Sequence, residues 1–357
     1  MKVCILGNGL TSLTLAKALV NQDVKVDIFS DRNVKKNNKT QTLGISKSNI
    51  DFFKKNILNI DKLLWNIDKI EILSENLRNE KILDFDHKSK HLFSIIKNFE
   101  LYNHIVSSLN KNKLVNFKKK TNYNNLFKEK YNLIFNCDYN HPITKKFFFK
   151  RIDKNYNSFA YISTFKHEKL SNNHIASQIF TKMGPLAFLP VSSTETSVVY
   201  SVTGKKNIDF DSLVKKYNTK YKILRINKFS TFELKSSFLR SYYYENIIAF
   251  GDLLHRLHPL AGQGFNMTIR DIKEIYELIE FNKSHGLDLD NSICFNFEKN
   301  KKHKNYLFSS GIDFIYEFFN LENKIGNSNL SKSVKLIGKN KIINRFFTKF
   351  ADNGIVI

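Results

Sequence analysis

The chain is short of the residues that punctuate or cross-link a fold. Only 4 prolines and 13 glycines occur in 357 residues, so turns that need bare backbone are confined to a few places. The three cysteines, Cys4, Cys137 and Cys294, lie far apart without ligand-like spacing, which excludes a disulfide framework and a thiolate metal site. No run of 18 apolar residues is present, so no segment reads as a membrane-spanning helix. Met1 and Lys2 lead straight into "VCILG" without a signal-peptide plan, and a cytoplasmic protein is expected. Acidic residues are scarce, 33 against 57 lysines and arginines, for a formal net charge of +24. The lysines run from end to end with no aromatic-plus-basic module among them, so nucleic acid is not an expected partner. Attraction to acidic phospholipid follows from the charge alone.

What is present suffices for large cores: 42% of residues are hydrophobic, and the length suits two or three structural units. "KVCILGNGLTSLTLAKALVNQDVKVDIFSDR" reads as a strand from Val3 to Leu6, a glycine turn, a helix to about Asn21 and a strand from Val24 to Phe29. In this βαβ opening Gly7 permits the tight turn, Gly9 lets a pyrophosphate approach the helix N-terminus, and Ser12 takes the third small position. The ribose-binding acid expected after the second strand is replaced by Ser30 or shifted by one residue to Asp31. A second glycine-rich turn, "GDLLHRLHPLAGQGFNMTIRD" from Gly251 to Asp271, also runs into a helical pattern and so offers bare N–H groups to an anionic ligand. His255 reads as a structural hydrogen-bonding residue under that turn. His258 is the candidate to titrate near neutral pH at the reacting centre. No Ser-His-Asp order, paired carboxylate or metal cluster offers a rival hydrolytic chemistry.

These two motifs together resemble the ubiquinone-biosynthesis hydroxylases, FAD-dependent aromatic monooxygenases related to para-hydroxybenzoate hydroxylase. The resemblance extends to "LGISKSNIDFF", "AYISTFKHE", "FTKMGPLAFLPV" and "SGIDFIYEFFN", nearly the whole chain. It implies an α/β fold with a Rossmann-like FAD-binding domain, an interleaved antiparallel β-sheet substrate domain and a C-terminal helical segment. It implies FAD contacts at Gly7, Gly9, Ser12, Ser30, Gln41, Asp252, Pro259, Gly262, Gln263, Gly264 and Asn266, with His258 and Pro259 beside the reacting ring and no metal. Asp252 would bind the ribityl hydroxyls. Relatives carry an Arg to the pyrophosphate where this chain has Gln41, so a charge-assisted bond of about 1.5 to 3 kcal/mol is missing; Lys35, Lys36 and Lys39 are the cations nearest in sequence. "NCDYN" keeps Asp138 but lacks the glycines of the family's Gly-Ala-Asp-Gly motif, which bears on the pyridine-nucleotide step.

The implied activity is hydroxylation of a polyprenylated phenol in ubiquinone biosynthesis with NAD(P)H and O₂. Its partners would be a lipophilic phenol or quinone precursor and other quinone-biosynthesis enzymes. A prenyl-lipid reductase on the same fold, or a catalytically weakened scaffold, are the alternatives. The expected FAD-binding domain is discontinuous, 1–66, 93–150 and 237–290. The substrate domain is 67–92 and 151–236, and residues 291–357 form the C-terminal helical region. "KIEILSE", "EKILDFD", "YNLIFNCD", "FAYISTF", "TSVVYSVT" and "NIIAFGD" read as strands, and "FSIIKNFELYNHIVSSL" as a helix. Near the C-terminus Ile342, Ile343, Phe346, Phe347 and Phe350 recur at helical spacing, flanked by Lys339, Lys341, Arg345 and Lys349. That stripe is either a packed terminal helix or an anchor that holds the protein peripherally on the inner face of the cell membrane.

Overall fold

A computed structural model describes residues 1–30, 40–86, 92–119, 126, 130–204, 208–340, 348–349 and 351–354. The C-terminal stripe residues Ile342, Ile343, Phe346, Phe347 and Phe350, along with Asp31, Lys35, Lys36 and Lys39, lie outside the described residues.

The chain opens with β1 (Lys2–Leu6), α1 (Leu10–Val20) and β2 (Lys25–Ser30). The run Val3 to Leu6 is buried throughout, as expected of a parallel strand covered on both faces. It pairs with β2 on one side and β9 (Leu133–Asn136) on the other, both parallel. The six-stranded sheet is completed by β8 (Val115–Lys119) on β2 and by β17 (Ile247–Ala249) on β9. The antiparallel strand β16 (Tyr243–Tyr244) forms one edge. Its main core joins Val3, Ile5, Leu13, Val26, Ile28, Leu133, Phe135, Ile248 and Phe250 to the helices around it. Among these are α3 (Asn98–Leu109), α4 (Pro142–Phe147) and α6 (Gln263–Ser284).

The larger sheet runs in the order β18-β15-β10-β13-β12-β11-β5-β6. Its strands are β5 (Lys69–Ser74), β6 (Glu80–Asp86), β10 (Arg151–His167), β11 (Ile175–Thr181), β12 (Gly184–Pro190), β13 (Glu195–Thr203), β15 (Ser230–Leu239) and β18 (His255–Arg256). A further strand, β14 (Ile223–Ile226), also pairs with β10. All pairings are antiparallel except β5 with β11. One face carries the core of Phe165, Leu186, Phe188, Val198, Tyr200 and Val202, closed by α5 (Phe210–Tyr217). Toward the opposite side lie α7 (Asn291–Ile325) and α8 (Asn329–Gly338), which bury Phe308, Ile312 and Phe319 with Phe180 and Phe238. α7 ends at Gly326 in the left-handed conformation, where glycine avoids the Cβ penalty.

A third sheet joins β3 (Thr42–Ser46), β7 (Phe93–Lys97) and β4 (Trp65–Ile67), with β7 in the middle. The helix read from Phe93 onward is corrected here. Ser94, Ile95 and Ile96 are buried in succession, because β7 is covered on both faces and hydrogen-bonded on both edges, a setting that a continuous apolar run satisfies as a strand. The helix begins only at Asn98, with Glu100 in its first turn against the positive end of the dipole. After β3 the chain forms α2 (Lys47–Asn56).

Candidate functional site

At the end of β1, Gly7 has φ +107°, and a Cβ there would sit 3.3 Å from Ser12 Oγ and 3.5 Å from the Cys137 carbonyl carbon. Its N–H donates to Phe29 O at 2.8 Å. Ser12 is buried beneath it, so the third position of the motif serves close packing. Gly9 is the N-cap of α1, with no side-chain cap and no acidic residue in the first turn. Nothing lies within 4 Å of where its Cβ would be. The N–H groups of Leu10, Thr11 and Ser12 have no helical acceptor, and the open space before them forms a cradle for an anion. Ser30, half-buried, ends the adjoining strand.

The second turn is built directly onto this cradle. Gly251 has φ +64°, and a Cβ on it would come within 2.6 Å of Thr11 Cγ2. Only glycine lets the two motifs, distant in sequence, meet at the first turn of α1. Asp252 follows, exposed, with no hydrogen bond or ion pair among the described residues. Cys137 lies nearby, its thiol pushed up to about 12 by burial, with Asp252 and Asp138 adding to the effect.

Pro259 leads into a 3₁₀ turn, Leu260–Gly262. Gly262, at φ +63°, is the N-cap of α6, and its Cβ would lie 3.6 Å from Gly44 N. Gly264 faces open space. Gln263 is buried with its Oε1 unpartnered. Asn266 is fully engaged by the protein: its Nδ2 donates to Gly44 O at 2.9 Å and Gly262 O at 3.3 Å. Its Oδ1 accepts from Ser46 N at 2.8 Å and Asn49 Nδ2 at 2.9 Å. It braces the glycine turn against β3 and α2.

Gln41 is also committed, accepting from Asn98 Nδ2 at 2.9 Å. Asp138 turns its carboxylate onto Asn140 N at 2.9 Å, a local turn leading to α4.

His255 and His258 divide as their surroundings require. His255 Nε2 and Asp271 Oδ2 lie 2.5 Å apart, both buried. Asn305 Nδ2 donates to the other oxygen at 3.0 Å, and Lys301 Nζ lies 3.6 Å from it. The cluster ties β18, α6 and α7 together. His258 is buried between Tyr156 and Tyr316, with ring centroids 4.9 and 4.3 Å away. Its Nδ1 accepts from Leu260 N at 3.2 Å, which assigns the proton of the neutral ring to Nε2, an atom without a partner. Burial pushes its pKa down to about 3, with Lys154 adding to the shift and Glu317 opposing it. At neutral pH it is an uncharged donor.

The structure thus gathers Gly7, Gly9, Ser12 and Gly251 at one helix terminus, with Asp252 next in the chain. Gly262, Gln263, Gly264 and Asn266 lie at another, with Gly44 beneath. An open N–H cradle, two glycines with space above them and an orphaned buried amide oxygen fit a long ligand bearing phosphates and a polar ring edge, as a dinucleotide flavin does. The partners missed from sequence, Ser46 on Asn266, Tyr156 and Tyr316 on His258, and Lys301 on Asp271, carry no local signal. Each comes from a remote segment. Asp271 alone was in view, as the last residue of the quoted turn.

No family model matches the chain. A ubiquinone biosynthesis monooxygenase, COQ6, of Schizosaccharomyces pombe is 22% identical over 250 residues, 56% of this chain and 52% of that protein. The 3-demethoxyubiquinol 3-hydroxylase of Escherichia coli is 25% identical over 152 residues, 40% of this chain and 39% of that protein. The chain spans about half the length, or less, of these curated relatives. Among solved structures, p-nitrophenol 4-monooxygenase of Pseudomonas putida superposes with a TM-score of 0.78 at 12% identity, covering 99% of this chain and 98% of that one. HpxO of Klebsiella pneumoniae, complexed with FAD and uric acid, gives 0.74 at 11% identity over 99% and 97% of the two chains. By sequence the chain is similar to ubiquinone-biosynthesis monooxygenases, and it shares its fold with solved FAD-dependent monooxygenases.

Proposed function

We propose that the protein binds FAD non-covalently and hydroxylates the aromatic ring of a polyprenylated phenol in ubiquinone biosynthesis, using NAD(P)H and O₂. The observation that carries this reading is the seating of Gly251 on Thr11, which places Asp252 beside the open terminus of α1. It is supported by relatives named as ubiquinone-pathway monooxygenases and by a neighbour of the same fold complexed with FAD.

The N–H groups at the start of α1 would hold the pyrophosphate, and the unengaged Asp252 carboxylate would accept the ribityl hydroxyls. Gly262 and Gly264 leave the backbone bare where the ring edge would lie. Bound FAD would supply the redox chemistry, taking electrons from NAD(P)H and activating O₂. The chain's task is to position the rings and exclude water. His258 stays neutral and offers an N–H rather than a proton-transfer cation. One oxygen atom of O₂ would go into the phenol and the other would leave as water, with the hydride of NAD(P)H and one solvent proton balancing the overall reaction.

The purified protein should be yellow, and product formed under ¹⁸O₂ should carry one labelled oxygen. Unlabelled reduced product would point to the reductase alternative. NAD(P)H use that yields only peroxide would favour the scaffold, the reading toward which Gln41, held by Asn98 instead of a cation for phosphate, inclines. Gly9→Val gives a second check. Because nothing lies within 4 Å of that Cβ position, folding should be nearly unchanged while flavin affinity falls at least about a hundredfold, about 3 kcal/mol. Full flavin occupancy in the variant by fluorescence titration would remove the cradle from the proposal.

Peripheral attachment to the inner face of the cell membrane, within a group of quinone-biosynthesis enzymes, belongs to the same proposal. No helix among the described residues is long and apolar enough to cross a membrane. Cosedimentation that rises with acidic lipid and falls with salt would support attachment.

A further inference from the structure

Well down α6 from its glycine turn, Arg270 lies in a small crevice, about 20 Å³, between α6, α7 and the C-terminal segment, lined also by Met267, Lys301, Lys304, Asn305 and Gly354. The guanidinium packs over the Phe308 ring at 4.5 Å, and Gly354 closes against it, so that a Cβ there would meet Nε at 3.0 Å. Among the described residues it makes one hydrogen bond, a long one from Nη1 to the Asp352 carbonyl at 3.5 Å. Nη2 is buried and has no partner among the described residues.

Neither nearby carboxylate hydrogen-bonds to it, although both attract its charge. Asp271 is shared by His255, Asn305 and Lys301. Asp352 points its Oδ1 at Ser48 N, 2.9 Å away, while its carbonyl takes the Ser46 and Ser48 hydroxyls at 3.0 and 2.9 Å. Lys304, half-buried on the crevice wall, has no ion pair among the described residues. A buried guanidinium N–H without an acceptor is costly, and the planar fork matches an oxyanion through two parallel N–H bonds. Burial weakens its hold on the proton, down to about 10, with the Asp271 and Asp352 carboxylates opposing the shift.

We propose that the Arg270, Lys301 and Lys304 crevice is a binding site for a phosphate group, separate from the flavin cradle at the N-terminus of α1. Arg270 Nη2 would donate to one oxygen, and the Lys304 ammonium would supply most of the opposing charge, Lys301 being shared with Asp271. The group is either free phosphate or the headgroup of an acidic phospholipid.

Isothermal titration of the purified protein with inorganic phosphate at constant ionic strength should show saturable binding near ~1 mM or tighter. Arg270→Gln and the less intrusive Lys304→Gln should each weaken it at least about tenfold. Dependence on these two residues separates the site from phosphate held at the α1 turn. Vesicles of phosphatidylcholine with and without phosphatidic acid identify the source. Binding to the acidic vesicles that phosphate reverses and Arg270→Gln abolishes assigns the headgroup. Phosphate binding without such vesicle binding assigns the free ion. No saturable heat, or equal affinity in the wild type and both variants, would overturn the proposal.

Discussion

Acidification from about pH 7 to about pH 4 is expected to destabilise the protein by about 3 kcal/mol through His258 alone, and His258→Phe should remove that component. The sign follows from the direction of the shift. A histidine held at about 3 in the folded protein and near 6.5 in the unfolded chain binds more protons when unfolded throughout that window. Its contribution is therefore complete above about pH 6.5 and is lost progressively as the pH falls, at up to about 1.4 kcal/mol per unit. Phe keeps a ring between Tyr156 and Tyr316 but loses the acceptor for Leu260 N–H, a cost of about 1 kcal/mol independent of pH. Urea midpoints measured at several pH values for both proteins test the difference in slope. Parallel curves would mean that His258 is hydrated or protonated in the native state, against its packing.

Asp271→Ala should cost about 3 to 5 kcal/mol, the larger effect at neutral pH, because it removes a buried carboxylate from beneath a histidine, a lysine and an amide. Burial alone would push this carboxyl up, but His255, Lys301 and Asn305 together outweigh it and hold it below the usual carboxylate range. A depressed acid contributes stability that is present above its unfolded pKa, about 3.9, and is lost as pH falls through the folded value. The Asp271 window therefore lies at lower pH than most of the His258 window, and the two can be separated in one titration series. Asp271→Asn keeps the shape and one acceptor, so it should recover part of the loss. A melting temperature for Asp271→Ala within a degree or so of the wild type would show that the cluster relaxes to water and does not join β18, α6 and α7.

Much of the six-stranded half was legible because its signals are local. The strand, glycine turn, helix and strand of residues 2–30 depend on apolar periodicity and on where glycine permits a positive φ, both written in consecutive residues. The run Phe93–Lys97 misled for the same reason: a short apolar segment has no period of its own, and only its two neighbouring strands make it a strand. Site residues showed the same division. Gly251 could be read as a turn residue, but not that it must be glycine because Thr11 is packed above it.

By itself, then, the sequence determined the βαβ opening, the second glycine turn, the strand-rich middle and the absence of a disulfide framework, since periodicity, turn chemistry and composition act over a few residues. Tertiary structure alone decided that Asn266 is a brace, that Gln41 Oε1 accepts from Asn98, that His258 is a neutral buried donor and that Arg270 Nη2 has no acceptor among the described residues. In each case the deciding partner comes from a remote segment, and the energy of a polar group depends on the water removed around it and the partner supplied in exchange.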